Sequence, residues 1–289
     1  MDKPYILDEN ENYAVVFKPA KMHSASKDNI YHNGAEGKED KDDEQKLSCA
    51  IARLSGMNLL EWYASCSDSV FDIMHRLDYE THGLVLFAKN EKSYLFLKEA
   101  QEKDEFIKEY SAICTRENRN KNEGFPQYNF VMKDDTHDSA DINNNTCISA
   151  PPRHRESNFN SSFVIESYFR PYGSGRKLVR PVIEYGKKHK EIAKDRGGFY
   201  RTEIISKNGN NFTIRIKRGF RHQIRCHLCW IGFPILNDPL YSRSEEAISL
   251  DSVMALRSHA LFFPDPSDGK KREYRIEGCL TKQIHPVCE

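Results

Sequence analysis

Apolar positions in this chain recur with two different periods. Strand-like runs, either alternating or briefly continuous, fall at residues 13–17, 84–89, 106–115, 200–206 and 212–217. The first reads Tyr-Ala-Val-Val-Phe and is ended by Lys18-Pro19, because proline has no N–H to give a sheet ladder. The third puts Lys108 and Tyr110 on one face and Ile107, Ser111 and Ile113 on the other. The last two face each other across a turn at Asn208-Gly209 and read as an antiparallel hairpin, with Thr213, Arg215 and Lys217 on its polar face.

Helical spacing appears three times. Leu47, Ile51 and Leu54 predict a helix beginning near residue 47. Asn90 is a fitting N-cap for a helix over 91–103, with Tyr94, Leu95, Leu97 and Ala100 as its apolar stripe. A third helix is expected over 222–231, turning Ile224, Leu228 and Ile231 inward and stopping at Gly232. Two polar stretches interrupt the pattern: a loop at 27–46 and a long apolar-poor segment from 116 that reads as an insertion reaching about 190. Within the latter, residues 163–185 interleave Tyr168, Phe169, Tyr172 and Tyr185 with Arg170, Arg176, Lys177 and Arg180. Such alternation suits either base stacking with phosphate contact or an aromatic loop packed on the surface. Strand-rich segments with few helices between them predict an α+β fold around a mixed, mostly antiparallel sheet with flanking helices, and a single domain over 1–289.

Composition narrows the partners. With 43 basic and 43 acidic residues the 289-residue chain has no global charge bias, so only local clusters speak for nucleic acid. Arg215, Lys217, Arg218, Arg221 and Arg225 are one such cluster. No apolar stretch approaches the length needed to cross a bilayer, and the N-terminus carries no basic-then-apolar leader, so a cytoplasmic protein is expected. Eight scattered cysteines without framework spacing suit reduced thiols.

Candidate chemistry concentrates at residues 75–85, His-Arg-Leu-Asp-Tyr-Glu-Thr-His-Gly-Leu-Val, where Asp78 lies just before a strand with Arg76 two residues ahead of it. A zinc site on His222, Cys226 and Cys229 is the rival chemistry. Residues 222 and 229 would be about 10 Å apart along a helix, too far to share one ion, so no metal is expected. No phosphate-cradling glycine loop is present either.

Taken in order, several blocks resemble the RluA family of pseudouridine synthases. They are Val16-Phe17-Lys18-Pro19-Ala20, His75-Arg76-Leu77-Asp78 with Thr81 and Gly83, residues 106–112 with Lys108 and Tyr110, and residues 219–228 with His222-Gln223-Ile224-Arg225. Ile231-Gly232-Phe233-Pro234-Ile235, Asp238-Pro239-Leu240-Tyr241, Ala255-Leu256 and His259-Ala260-Leu261 extend the match. The resemblance implies a sheet core with a central RNA-binding cleft and an enzyme that isomerises uridines in ribosomal or transfer RNA to pseudouridine. The N-glycosidic bond breaks and the ribose rejoins the base through carbon 5, with no cofactor.

By the same resemblance Asp78 is the catalytic carboxylate, acting as nucleophile or base. Arg225 is its ion partner, and Tyr110 stacks on the target base. Arg76 enters the helix where the uridine has left, while Lys108, Arg218, Arg221 and His222 contact RNA. Extrusion of the base is required because a stacked uridine hides its glycosidic bond. The family usually has serine where this chain has His82, and a basic residue followed by threonine or serine where it has Phe220-Arg221. An S4-like domain at the N-terminus is not expected, and a monomer is the default. The alternative is a degenerate member that binds RNA without isomerising it.

Overall fold

The computed structural model describes residues 3–25, 56–115, 125–126, 162–183, 200–242, 252–278 and 280. In chain order the elements are β1 (Tyr5–Glu9), β2 (Tyr13–Lys18), α1 (Leu59–Cys66), β3 (Asp72–Ile73), β4 (His82–Ala88), α2 (Glu91–Glu102), β5 (Ile107–Ile113) and β6 (Phe163–Tyr172). After a short 3-10 turn at Ser174–Arg176 come β7 (Leu178–Val182), β8 (Tyr200–Asn208), β9 (Asn211–Ile216), α3 (Gln223–Trp230), β10 (Leu256–Pro264) and β11 (Lys271–Arg275). The expected loop at 27–46 and the helix expected from residue 47 lie outside the described residues.

The chain forms two compact units, Met1–Lys108 with Arg257–Gly278, and Glu109–Leu256 with Cys279–Glu289. In the first, the strand order is β1-β2-β4-β10, with β11 on β10 and β3 on β4. The β2–β4 ladder is antiparallel and pairs Phe17 with Leu84 and Lys18 with Gly83, whereas β4 and β10 run parallel. Tyr13, Val15, Leu84, Leu86, Leu261 and Phe263 form the core, against which Leu97 and Phe106 pack. Both β2 and β4 are buried along their whole length, which is why they read as continuous apolar runs and not as alternation.

In the second unit the order is β5-β9-β8-β6-β7, with antiparallel β9–β8, β8–β6 and β6–β7 pairs. The mixed sheet with few helices is the α+β class expected. Residues 163–182, by contrast, had been expected within an insertion or an aromatic loop, and they are sheet strands. Phe163, Ile165, Ser167 and Phe169 are buried while Val164, Glu166, Tyr168 and Arg170 between them are more exposed. Pro171 and Pro181 disguise this period. Pro181 is tolerated because β7 is the last strand of the order, and Pro171 because it lies beyond Phe163–Ser167, the part of β6 that pairs with β8.

The helices bear out part of their expected faces. Asn90 caps α2 by accepting the Ser93 N–H at 2.9 Å. Its buried side chains are Ser93, Leu97 and Ala100, whereas Leu95 is 59% exposed because a residue two positions from Ser93 points to the far side of a helix. Helix α1 was not expected, although Asn58 and Glu61 make a capping box at its start. Helix α3 is buried at all eight positions, so its three expected apolar residues mark only part of an enclosed helix.

Candidate active site

Asp78 opens a tight turn in the first unit, its carbonyl accepting the Thr81 N–H at 3.1 Å just before β4 begins. The turn is held against the segment that follows β2. Lys21 N–H reaches the Tyr79 carbonyl at 2.8 Å, and the Ser24 hydroxyl both donates to the Leu77 carbonyl and accepts its N–H. At the junction lies Lys18, fully buried, its ammonium 2.9 Å from the Pro19 carbonyl, 2.7 Å from that of Met22 and 3.4 Å from that of Tyr79. Burial pushes the Lys18 amine down to about 7, and the charges of Asp78 and then Glu80 oppose the fall. Lys18 thus ties the Asp78 turn to the end of β2, and the sequence reading had given it no role.

Gly83 explains the end of the same motif. It pairs with Lys18 of β2 on one side and Ser258 of β10 on the other. Its φ is +122°, and a Cβ there would lie 2.6 Å from the Ser258 nitrogen and closer still to the Ser258 carbonyl oxygen. Only glycine accepts both the conformation and the approach. His82, the first departure from the family pattern, is buried, its ring edge-on to Phe17 at 6.4 Å. His75 accepts the Leu86 N–H at 3.2 Å through Nε2, and burial, then the charge of Lys108, lowers its basicity well below the ordinary range. It is a structural histidine.

In the second unit Arg225 is 2% exposed and is held by Asp238, which is fully buried. Nε donates to Oδ2 and Nη2 to Oδ1, both at 2.8 Å, a bidentate fork. Asp238 Oδ1 also accepts the Leu240 and Tyr241 N–H groups at 2.9 and 3.1 Å. The guanidinium lies 5.4 Å from the centre of the Tyr241 ring. Asp238 and Tyr241 belong to a block that the sequence reading quoted without assigning a role. Tyr110, on β5, is buried.

The cations expected at RNA divide. Arg76, Arg218 and Arg221 are exposed. Arg221 spends part of its guanidinium on the Arg176 carbonyl at 2.6 Å. Lys108 is not on the surface: it is buried 4.8 Å from the Phe106 ring centre, and burial lowers it to about 8. A phosphate contact from this position is therefore corrected to an interior one. His222 has left-handed backbone, φ +57°, and its Nδ1 lies 3.2 Å from the Tyr241 hydroxyl. Phe220, the second departure, stacks on Phe169 at 5.1 Å and leans on Tyr200 at 5.0 Å.

Among the described residues no group of acidic, histidine and cysteine side chains could hold a metal ion. Cys226 and Cys229 instead donate to the Val179 and Tyr241 carbonyls, each at 3.4 Å. Burial raises the Cys226 thiol well above its ordinary value.

Residues 12–230 match the model of the RNA pseudouridylate synthase family. The chain belongs to this family. The matched span includes Lys18, Asp78, Tyr110 and Arg225. Two proteins named ribosomal large subunit pseudouridine synthase D are similar, those of Zymomonas mobilis and Borreliella burgdorferi. The first is 26% identical over 212 residues, 71% of this chain and 52% of the relative. The second is 26% identical over 194 residues, 65% of this chain and 43% of the relative. The chain therefore spans about half the length of these curated relatives. In fold it resembles human RNA pseudouridylate synthase domain containing 1, with TM-score 0.57, 14% identity and coverage of 96% and 84% of the two chains. Human RNA pseudouridylate synthase domain containing 4 gives TM-score 0.51, 14% identity and coverage of 98% and 92%. Among the described residues no helix is long and apolar enough to cross a membrane.

Proposed function

We propose that this chain isomerises uridine to pseudouridine in large-subunit ribosomal RNA, with Asp78 as the catalytic carboxylate and residues 1–289 acting as one catalytic domain. What carries the reading is Asp78 itself: a partly exposed carboxylate on a turn fixed by Lys21, Ser24 and the buried Lys18, within the span matched to the family. A carboxylate that attacks or deprotonates at a ribose must stay anionic and keep its direction; the protonated form of Lys18 serves the first need and its grip on the turn the second.

Arg225, held by Asp238 and charged at any relevant pH, is the second catalytic residue of the proposal. Tyr110 stacks on the uracil after the nucleotide leaves the helix, and Arg76 fills the gap in the RNA. Arg218, Arg221 and His222 contact the flanking backbone. The reaction imports no group and changes no oxidation state, so no cofactor is required. Ribosomal RNA is the preferred substrate because the similar bacterial proteins bear that name. Transfer RNA is the other target, and the protein acts as a cytoplasmic monomer.

The test is Asp78→Asn. Pseudouridine mapped across ribosomal and transfer RNA, in cells with the wild-type gene and with the variant, should differ at one or a few uridines. The purified variant should bind RNA and leave uridine unchanged. An identical map with and without the gene would overturn the proposal in favour of an RNA-binding protein.

A further inference from the structure

We infer that Tyr79 and His23 form a stacking subsite for an unpaired RNA base beside the nucleotide on which Asp78 acts. The inference rests on the catalytic reading of Asp78 and adds a second place where the RNA is gripped. Tyr79 follows Asp78 directly and is 43% exposed, an unusual position for a large ring. His23 is exposed as well, and the two ring centres are 4.7 Å apart with planes inclined at 42°.

A single exposed aromatic ring is ordinary on a protein surface. These two differ in how firmly their backbone is held. The Tyr79 carbonyl accepts both the Lys21 N–H and the Lys18 ammonium. The His23 carbonyl accepts the Leu59 N–H at 2.8 Å, the Ser24 carbonyl accepts the Leu60 N–H at 3.1 Å, and the Ser24 hydroxyl closes on Leu77. Two segments far apart in sequence are thereby locked together, with one ring supplied by each. A ring pair fixed in advance loses little freedom when a base settles on it.

The neighbouring groups suit a nucleotide. Arg76 is exposed three residues before Tyr79, and the partly exposed Lys21 is two residues before His23, so each ring has a cation close to it along the chain. Flipping a uridine out of its stack also leaves adjoining bases without a partner face, and an aromatic side chain can restore that contact. Nothing in the pair reads a particular base, since every base offers a π-face. The subsite therefore holds RNA in register with Asp78 without setting sequence preference.

Binding of a short fluorescein-labelled oligouridylate, followed by anisotropy over a range of salt concentrations, tests the subsite apart from catalysis. Tyr79→Ala should weaken binding by roughly 5- to 100-fold, the range expected for loss of one base–aromatic stack. The slope of log affinity against log salt should not change, because no charge is removed. Tyr79→Leu, which keeps apolar bulk without an aromatic face, should lose a similar amount. Tyr79→Phe should bind as wild type, and His23→Ala should show a smaller loss. Wild-type binding by both Tyr79→Ala and Tyr79→Leu, or equal losses in Tyr79→Phe, would overturn the inference. Failure of the catalytic reading is a separate result, because it would show as pseudouridine formation by Asp78→Asn.

Discussion

The buried pair of Arg225 and Asp238 gives the sharpest quantitative prediction about this molecule. Asp238→Ala removes the acceptor of two guanidinium N–H bonds and of the Leu240 and Tyr241 N–H groups. Breaking a buried ion pair by deleting one member costs about 3–5 kcal/mol, because the surviving charge is left desolvated. Arg225 cannot escape that cost by losing its proton. Asp238→Ala should therefore destabilise the protein by about 4 kcal/mol. Asp238→Asn keeps one oxygen for the backbone groups but turns an amide N–H toward the guanidinium, so its cost should be smaller, about 2–3 kcal/mol.

Urea denaturation measures both, read from the shift in midpoint at constant slope. A cycle with Arg225→Met isolates the pair. The double variant Arg225→Met/Asp238→Ala should cost at least about 2 kcal/mol less than the sum of the two single variants, since no buried charge remains. Strict additivity, or a cost below about 1 kcal/mol for Asp238→Ala, would refute the assignment of Asp238 as the group that holds Arg225 in place.

Two further outcomes follow from the first unit. Gly83→Ala should destabilise by about 3 kcal/mol or more, from a strained positive φ together with a clash against the Ser258 backbone, and thermal melting of the soluble fraction measures it; a variant melting with wild type would refute the close approach of β4 and β10. Glu9 accepts hydrogen bonds from Lys89, Ser67 and Tyr63; burial tends to raise its carboxyl, but these three partners outweigh it and the net shift is downward. A carboxyl lowered on folding stabilises above its unfolded value, near 4.5, and loses that contribution as pH falls through its folded value. Glu9→Gln should thus be less stable than wild type at neutral pH by about 1 kcal/mol, modest because the site is partly exposed, and the difference should shrink in urea titrations as the pH is taken down through the folded value; a difference independent of pH would refute it.

Much of the sheet was legible because its strands are either wholly buried or cleanly alternating. Residues 13–18 and 82–88 have both faces covered, so their sequences are apolar save for Lys18 and His82 at the ends, and residues 200–208 and 211–216 alternate around Gly209. Residues 163–182 escaped because their exposed face carries rings and cations, which imitate a binding loop, and because proline is allowed on an end strand. The Asp78 motif was legible as a string, but its logic was not. That Gly83 must be glycine depends on Ser258, 175 residues later, and that Lys18 lies beneath the turn depends on the β2–β4 register. Spacing along the chain carries no information about either.

The basic residues show why charge in a sequence is a poor guide to charge at a surface. Arg225 is buried on Asp238, Arg215 is drawn to the buried Glu109 at 2.5 Å, and Arg221 partly serves carbonyls of the β6–β7 connection. Lys18 and Lys108 are inside, one on three carbonyls and one over a ring, and burial has lowered both. Arg225, Lys18 and Lys108 differ in the partner each has. Arg225, which cannot become neutral, has a carboxylate. The lysines, which can, lie against carbonyls and a π-face. A cation committed in this way cannot also neutralise a phosphate, so of the arginines in the proposed RNA contact it is the exposed Arg76 and Arg218, and what remains of Arg221, that are available for it. The interior set serves the site by holding shape: Lys18 fixes the turn that carries Asp78 and its neighbour Tyr79, and Asp238 fixes the direction of Arg225. Under the proposed function, that division assigns the salt dependence of RNA binding and the placement of Asp78 and Arg225 to different residues.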